Sequence, residues 1–293
     1  EYFLAVAEFG RFTQAAEAVH VSQPALSQQI KKLEAELGTP LFDRLGRGTE
    51  LTEAGELLLP RARRILSEVE SADEAIGELR GIKNGSVTVG TVQTTGEYLI
   101  PGVVSRFHQA HPKIAISVME RSAPAITEGL TDGTFDLGVG FMSSVHDEIS
   151  ADLLFEEALV AVLPSGHSWT EVEKLSASRL SSQPLVLLSE GYCTRNLVNS
   201  VFEAAGIDPM VRIEMNSIAG ILATVREAGL ATILPTLTLS MTGTDGLAAR
   251  SISDPSPSRE VALLYHSGRH RSAPVEAFAR YIRSAVESPI ADL

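Results

Sequence analysis

One cysteine, Cys193, serves a chain of 293 residues. That scarcity excludes an intramolecular disulfide framework and fits a reducing cytosol, so a cytoplasmic protein is expected. Long apolar runs are missing as well. No stretch approaches the roughly 18 uninterrupted apolar residues of a membrane span, and no signal peptide is visible at Glu1. The chain has no initiator Met and starts within a helical pattern, so a few leading residues are expected to precede it. Catalytic signatures are equally scarce: there is no P-loop, no Gly-x-Ser-x-Gly elbow and no His-Glu-x-x-His. His20, His108, His111, His146, His167, His266 and His270 are scattered, without metal-ligand spacing beside carboxylates or a thiol. An α/β enzyme is therefore the least favoured class, and no metal or cofactor is expected.

Positive charge is short overall. A net charge of −13 argues against nucleic acid, whose affinity comes mainly from phosphate contacts. The distribution is more permissive. Between residues 11 and 64 there are eight Lys or Arg against seven Asp or Glu, while the remainder is acidic. With 44% hydrophobic and 21% charged residues, the composition is that of a globular protein long enough for two or three domains.

The first 50 residues are punctuated like a set of short helices. Glu1 to Glu8 reads as a helix with Phe3, Leu4, Val6 and Ala7 inward, stopped by Gly10. Thr13 is placed to cap a second helix, Gln14 to Val19, whose Ala15, Ala16 and Val19 permit close packing. After a tight turn at His20 and Val21, Ser22 is an N-cap and Pro24 falls in the first turn. The third helix should bury Leu26, Ile30, Leu33 and Leu37 and end at Gly38. Its opposite stripe holds Gln23, Ser27 and Lys31, with Pro24 and Gln28 beside it. Two short helices and a tight turn form a helix-turn-helix, whose second helix enters the major groove. Gln can pair with adenine, Ser adapts, and Lys reaches guanine or phosphate. Thr39 to Leu51, with Arg44 and Arg47, reads as a two-stranded wing.

A long helix follows from Thr52 to about Arg80. Leu58, Ala62, Ile65, Val69, Ala72, Ile76 and Leu79 form a heptad seam that predicts a partner helix, hence dimerisation. The stretch FLAVAEFGRFTQAAEAVHVSQPALSQQIKKLEAELGTPLFDRLGRGTELTEAG closely resembles the amino-terminal winged helix-turn-helix of LysR-type transcriptional regulators. The match is nearly gapless from Tyr2 to Gly55, and the later element order is similar to the family's effector region. The resemblance implies a homodimer or tetramer paired through the long helix. It also implies binding to a promoter, contact with RNA polymerase and response to a small coinducer. By position it makes Gln23, Pro24, Ser27 and Gln28 recognition-helix contacts and assigns Arg44 and Arg47 to the wing; Thr13, Ser22 and Lys31 complete the expected DNA-contacting set.

Gly81 to Gly85 reads as a hinge, and the texture then changes to alternating strands and helices. The expected organisation is a winged helix-turn-helix at 1–52, a dimerisation helix and hinge at 53–85, and an effector domain at 86–293. That last part reads as a parallel α/β layout in two lobes, 86–162 with 265–293 and 163–264, like the hinged folds of periplasmic binding proteins. Crossings are expected near Val160–Leu163 and Arg259–Tyr265. Ligand should lie between the lobes at strand carboxyl ends. Val92 to Gly96 and Gly191 to Thr194 each follow a strand and open a helix, offering hydroxyls and free N–H groups that suit an anion. A small organic anion bridging Thr94 and Thr95 to Cys193 and Thr194 is expected, with apolar contact from Phe141. Asn216 and Ser217 are read as helix-capping.

GYCTR resembles the segment that holds the reactive cysteine of the family's peroxide sensors. Those sensors pair it with a second cysteine, whereas Val201 or Phe202 stands at the corresponding place here. The disulfide switch is thereby removed. An oxidant-responsive regulator acting through Cys193 alone, by way of sulfenic acid, stays as the alternative to a ligand-switched one.

Overall fold

The computed structural model describes residues 1–45, 48–79, 85–240 and 245–287, with the side chains of Arg44, Leu45, Ser67, Glu68, Ser240 and residues 70–79 outside that description. The chain divides into two compact units, Glu1–Ile82 with Thr131–Thr134, and Lys83–Leu130 with Phe135–Leu293.

The first unit holds α1 (Tyr2–Phe9), α2 (Phe12–Ala18), α3 (Gln23–Leu37), the antiparallel hairpin β1 (Phe42–Leu45) and β2 (Gly48–Leu51), and α4 (Glu53–Leu79). Gly10 ends α1 and Gly38 ends α3, both left-handed, at φ 63° and 73°. Ser22 Oγ caps α3 by accepting from the Ala25 amide, and Pro24 sits in the first turn. Val6, Ala15, Ala16, Leu26, Ile30 and Leu41 form the core, joined at its edge by Leu33. Leu37 departs from expectation: it is 50% exposed, because the last turn of α3 runs past that core. Thr13 is not a cap. Helix α2 starts two residues earlier than predicted, with Arg11 at the N-cap, and Thr13 is exposed within its first turn.

Thr52 Oγ1 accepts from the Gly55 amide and so caps α4, which carries Pro60 in its second turn. Along the predicted seam, Leu58 and Ala62 pack against the unit's own core, whereas Ile65 and Val69 are 62% and 53% exposed. The side chains of Ala72, Ile76 and Leu79 lie outside the described residues, as does Arg47.

The second unit begins with β3 (Gly85–Thr91), α5 (Gln93–Tyr98), α6 (Ile100–Ala110), β4 (Ile114–Glu120), α7 (Ala123–Asp132) and β5 (Leu137–Phe141). It continues through β6 (Ile149–Pro164), β7 (Lys174–Ser176), α8 (Ala177–Ser181), β8 (Leu185–Leu188), α9 (Cys193–Ala204) and β9 (Val211–Met215). The chain then forms α10 (Ile218–Ala228), β10 (Thr232–Pro235), β11 (Leu247–Ser253), β12 (Ser258–His266) and α11 (Ala273–Glu287). β3 is parallel to β4 and β5, and β8 is parallel to β9. The layout is nevertheless mixed and not purely parallel. The long strand β6 runs antiparallel to β12, β10 and β11.

Two lobes share this sheet. Val87, Val89, Phe107, Ile126, Leu137, Phe278 and the β12 residues Val261 to Leu264 form one core. Leu159, Ala161, Leu163, Leu185, Val201 and Phe202 lie in another, with Val160 and Val162 on a third cluster. The crossings therefore fall near Glu156–Ala158 on β6 and Ser258–Glu260 on β12. Both lie earlier in the chain than predicted, because the apolar run of each crossing strand is buried in a different lobe. Among the described residues, no helix is long and apolar enough to cross a membrane.

Candidate functional site

On α3 the polar stripe and the apolar stripe separate as helical spacing requires. Leu26 and Ile30 are 0% and 1% exposed, while Gln23, Pro24, Gln28 and Lys31 are exposed and Ser27 is half-buried. The capped end of the helix carries Gln23 and Pro24 forward, and among the described residues none is bonded to the Gln28 side-chain amide. Such a row of free amide, hydroxyl and ammonium groups on a braced helix suits the donor and acceptor pattern of a major groove. Glu34 braces it from behind: its Oε1 accepts from the Leu41 and Phe42 amides at 2.9 and 3.4 Å, tying α3 to the wing. Sequence reading missed this role, which pairs positions seven and eight apart across a turn.

In the second unit a cleft of about 430 Å3 opens between the lobes. One wall comes from Val92, Gln93, Thr94, Glu120, Arg121 and Phe141, the other from Leu188, Glu190, Tyr192, Cys193 and Thr194. Cys193 is the first residue of α9 and half-buried. The first-turn amides of α9 thus lie beside the cleft, where the helix end favours negative charge. Arg121 is exposed and donates Nη1 to the Glu120 carbonyl at 2.7 Å. Across the mouth, Gln93 Nε2 donates to the Asn216 carbonyl at 2.7 Å. Ser217 caps α10 by accepting from Gly220, as read from the sequence.

Of the residues expected there, Thr94, Phe141, Cys193 and Thr194 line the cleft and Thr95 does not. Thr95 is 0% exposed; its Oγ1 lies 2.8 Å from the Thr91 hydroxyl and 3.1 Å from the Val92 carbonyl. Adjacent residues of a helix point about 100° apart, and Thr95 falls on the inward side of α5, where Thr91 and the Val92 carbonyl hold its hydroxyl.

The threonines that line it from either lobe, Thr94 and Thr194, are already bridged from within. Arg259 donates Nη2 to Thr94 Oγ1 at 3.0 Å and Nη1 to Thr194 Oγ1 at 3.1 Å. Its charge is met by Glu157, the residue directly opposite on β6. Nε and Nη2 both reach Glu157 Oε2, at 3.0 and 2.7 Å, and the other carboxylate oxygen accepts from the Leu237 amide at 2.9 Å. Tyr98 donates to Glu157 Oε2 at 2.9 Å. Burial, and then the charge of Glu157, push the Tyr98 phenol far above its ordinary value of 10, so it stays a neutral donor. The guanidinium carbon lies 5.1 Å from the centroid of the Phe141 ring. Glu157 and Arg259 are 3% and 8% exposed. A pair buried this deeply persists only because nearly every N–H and oxygen in it is satisfied. The available signal was charge inside otherwise apolar strands, in LFEEALVAV and SREVALLY.

Among the described residues, no group of His, Cys, Asp and Glu is arranged to hold a metal. Val201 and Phe202 are buried core residues, so Cys193 has no thiol partner on α9.

Comparison with known proteins gives a consistent picture. Residues 1–56 match the family "Bacterial regulatory helix-turn-helix protein, lysR family", and residues 80–287 match "LysR substrate binding domain". The chain is 31% identical over 288 residues to a hydrogen peroxide-inducible genes activator of Dickeya chrysanthemi, covering 98% of this chain and 94% of that one. Full-length OxyR from Pseudomonas aeruginosa has a similar structure, with a TM-score of 0.78 at 25% identity over 99% of this chain and 94% of that one. Full-length CbnR complexed with its target DNA is also similar, with a TM-score of 0.68 at 25% identity over 97% of each chain.

Proposed function

The chain belongs to the LysR family of DNA-binding transcriptional regulators, and we propose that its output is switched by a small anionic coinducer held between the two lobes of its second unit. The observation that carries this reading is the cleft, walled by both lobes, with the first turn of α9 and Arg121 beside it. A carboxylate would sit against the α9 amides and the Arg121 guanidinium. Glu120 and Glu190 on the same walls disfavour a second negative charge on the ligand, which points to a monoanion.

The regulator works by population shift. A ligand that binds one lobe angle better than another biases the whole assembly toward it, by as much as its differential affinity and no more. Self-association through α4 is supported by the exposed Ile65 and Val69. It would present two α3 helices to two half-sites, with RNA polymerase as the further partner. The protein would act in the cytoplasm, without turnover of its ligand. A thermal-shift screen of small mono- and dicarboxylates on the full chain tests the reading. A monocarboxylate should stabilise the protein and alter its footprint on promoter DNA, and a screen without either effect would refute it.

A second reading has its own support. Cys193 lines the cleft, and a peroxide-responsive relative is 31% identical. In this reading the Cys193 thiolate attacks one peroxide oxygen, forming sulfenic acid and releasing hydroxide. Cys193→Ser should then abolish the response to hydrogen peroxide, and an unchanged response would remove the idea.

A further inference from the structure

Arg259 has five N–H donors and no acceptor, so any hydroxyl it touches must accept from it. Both Thr94 Oγ1 and Thr194 Oγ1 do so. Each hydroxyl therefore keeps its own hydrogen to give away, and among the described residues neither makes another side-chain hydrogen bond. Thr94 belongs to α5 of one lobe, Thr194 to α9 of the other, and both line the cleft. We propose that Arg259 determines the specificity of the cleft: by occupying the acceptor side of two threonines, one per lobe, it turns both hydroxyls into donors toward the ligand.

The effector class that follows is a molecule presenting a compact hydrogen-bond acceptor, such as a carboxylate, that takes both hydroxyl hydrogens at once. Hydrogen bonds in series polarise one another, so the guanidinium strengthens two donors it does not itself expose. Glu157 matters for the same reason. It anchors Arg259 at the crossing of β6 and β12 and offsets its charge, so Arg259 acts on the ligand through oriented O–H dipoles, beside the exposed Arg121 cation. An acceptor shared by Thr94 and Thr194 ties lobe to lobe at their hinge. A donor-only ligand gains nothing there. The mechanism thus favours one lobe angle as a consequence of recognition.

This inference rests on the cleft being a ligand site. The experiment uses the full-length protein and two panels of matched size: formate, acetate, propionate and benzoate against methylammonium, methylguanidinium and benzylamine. Thermal stabilisation by at least one carboxylate and by no cation is expected. That shift should be lost in Thr94→Val and in Thr194→Val, which keep the shape and remove the hydroxyl, and retained in Thr94→Ser. Arg259→Lys, which keeps the charge and loses the two-handed geometry, should respond less than the parent. Stabilisation by the cations alone would overturn the proposal and leave the cleft standing. An undiminished carboxylate response in both valine variants would also overturn it. Silence from both panels would overturn the cleft reading together with the proposal. Should the valine variants fail to fold, Arg259→Lys decides: a carboxylate response equal to the parent's overturns the proposal.

Discussion

Replacing Glu157 with Ala tests the buried pair at the lobe crossing. The substitution leaves Arg259 charged at 8% exposure and takes the acceptor from the Leu237 amide and the Tyr98 hydroxyl. Removing one partner of such a pair costs about 3–5 kcal/mol, most of it the penalty of a stranded buried charge. For a unit of this size each kcal/mol moves the melting temperature by roughly 2–4 °C, so the loss should be about 6–20 °C. The double variant Glu157→Leu with Arg259→Met behaves differently. With both charges gone, stability should return to within a few kcal/mol of the parent, or exceed it. Urea and thermal melts of the parent, the double variant and its two component singles, Glu157→Leu and Arg259→Met, complete a double-mutant cycle. A single-variant loss below about 1 kcal/mol would refute the reasoning, since that is the size of a solvent-screened surface pair.

Three further outcomes are expected. Gln28→Ala should leave the melting temperature unchanged, because that side chain is exposed. Competition binding should show it losing about 1–3 kcal/mol of discrimination between operator and unrelated DNA. Gly129→Ala should destabilise the second unit by about 1–3 kcal/mol despite the better helix former: its Cβ would fall 2.6 Å from Phe135 Cε2, and Phe135 is a core residue. Glu97→Gln should show a pH-dependent gain. Burial, then repulsion from Glu120, raises the Glu97 carboxyl above its ordinary value of 4.5, so the folded protein binds its proton more tightly than the unfolded chain. Parent stability therefore falls as pH rises from below 4.5 through the folded value, and the variant escapes that loss. Melts from pH 4 to 7 should show the variant's advantage growing with pH and then levelling; an advantage that shrinks as pH rises would contradict the sign.

Local chemistry made the head of the chain legible. Ser22, Pro24 and Gly38 bound α3 because caps and left-handed glycines act within a few residues. Leu37 was misplaced because whether a last turn meets the core depends on the neighbouring elements, not on its own spacing. In the second unit, Leu185 to Leu188 announced itself as a continuous apolar run. Strand β11 did not, since LAARSIS mixes Arg250 and two serines into a half-buried surface. In strand β6 only the apolar carboxyl half, Ala158 to Leu163, is legible as a strand. Its first residues, from Ser150 to Phe155, are only half-buried or exposed and carry a weak signal. The cleft was found from helix openings that follow strands, yet its most consequential residues were missed. Glu157 and Arg259 are 102 positions apart, and only the antiparallel pairing of β6 with β12 sets them face to face.

The central claim is that the polar stripe of α3 reads base edges while Leu26 and Ile30 hold it from behind. A footprint of the purified full-length protein on the DNA upstream of its own gene tests this most directly. Protection of two symmetrically related half-sites, lost in Gln28→Ala at protein concentrations that still coat unrelated DNA, is the predicted result. Protection that the substitution leaves unaltered, or no protection with or without a carboxylate ligand, would contradict the account.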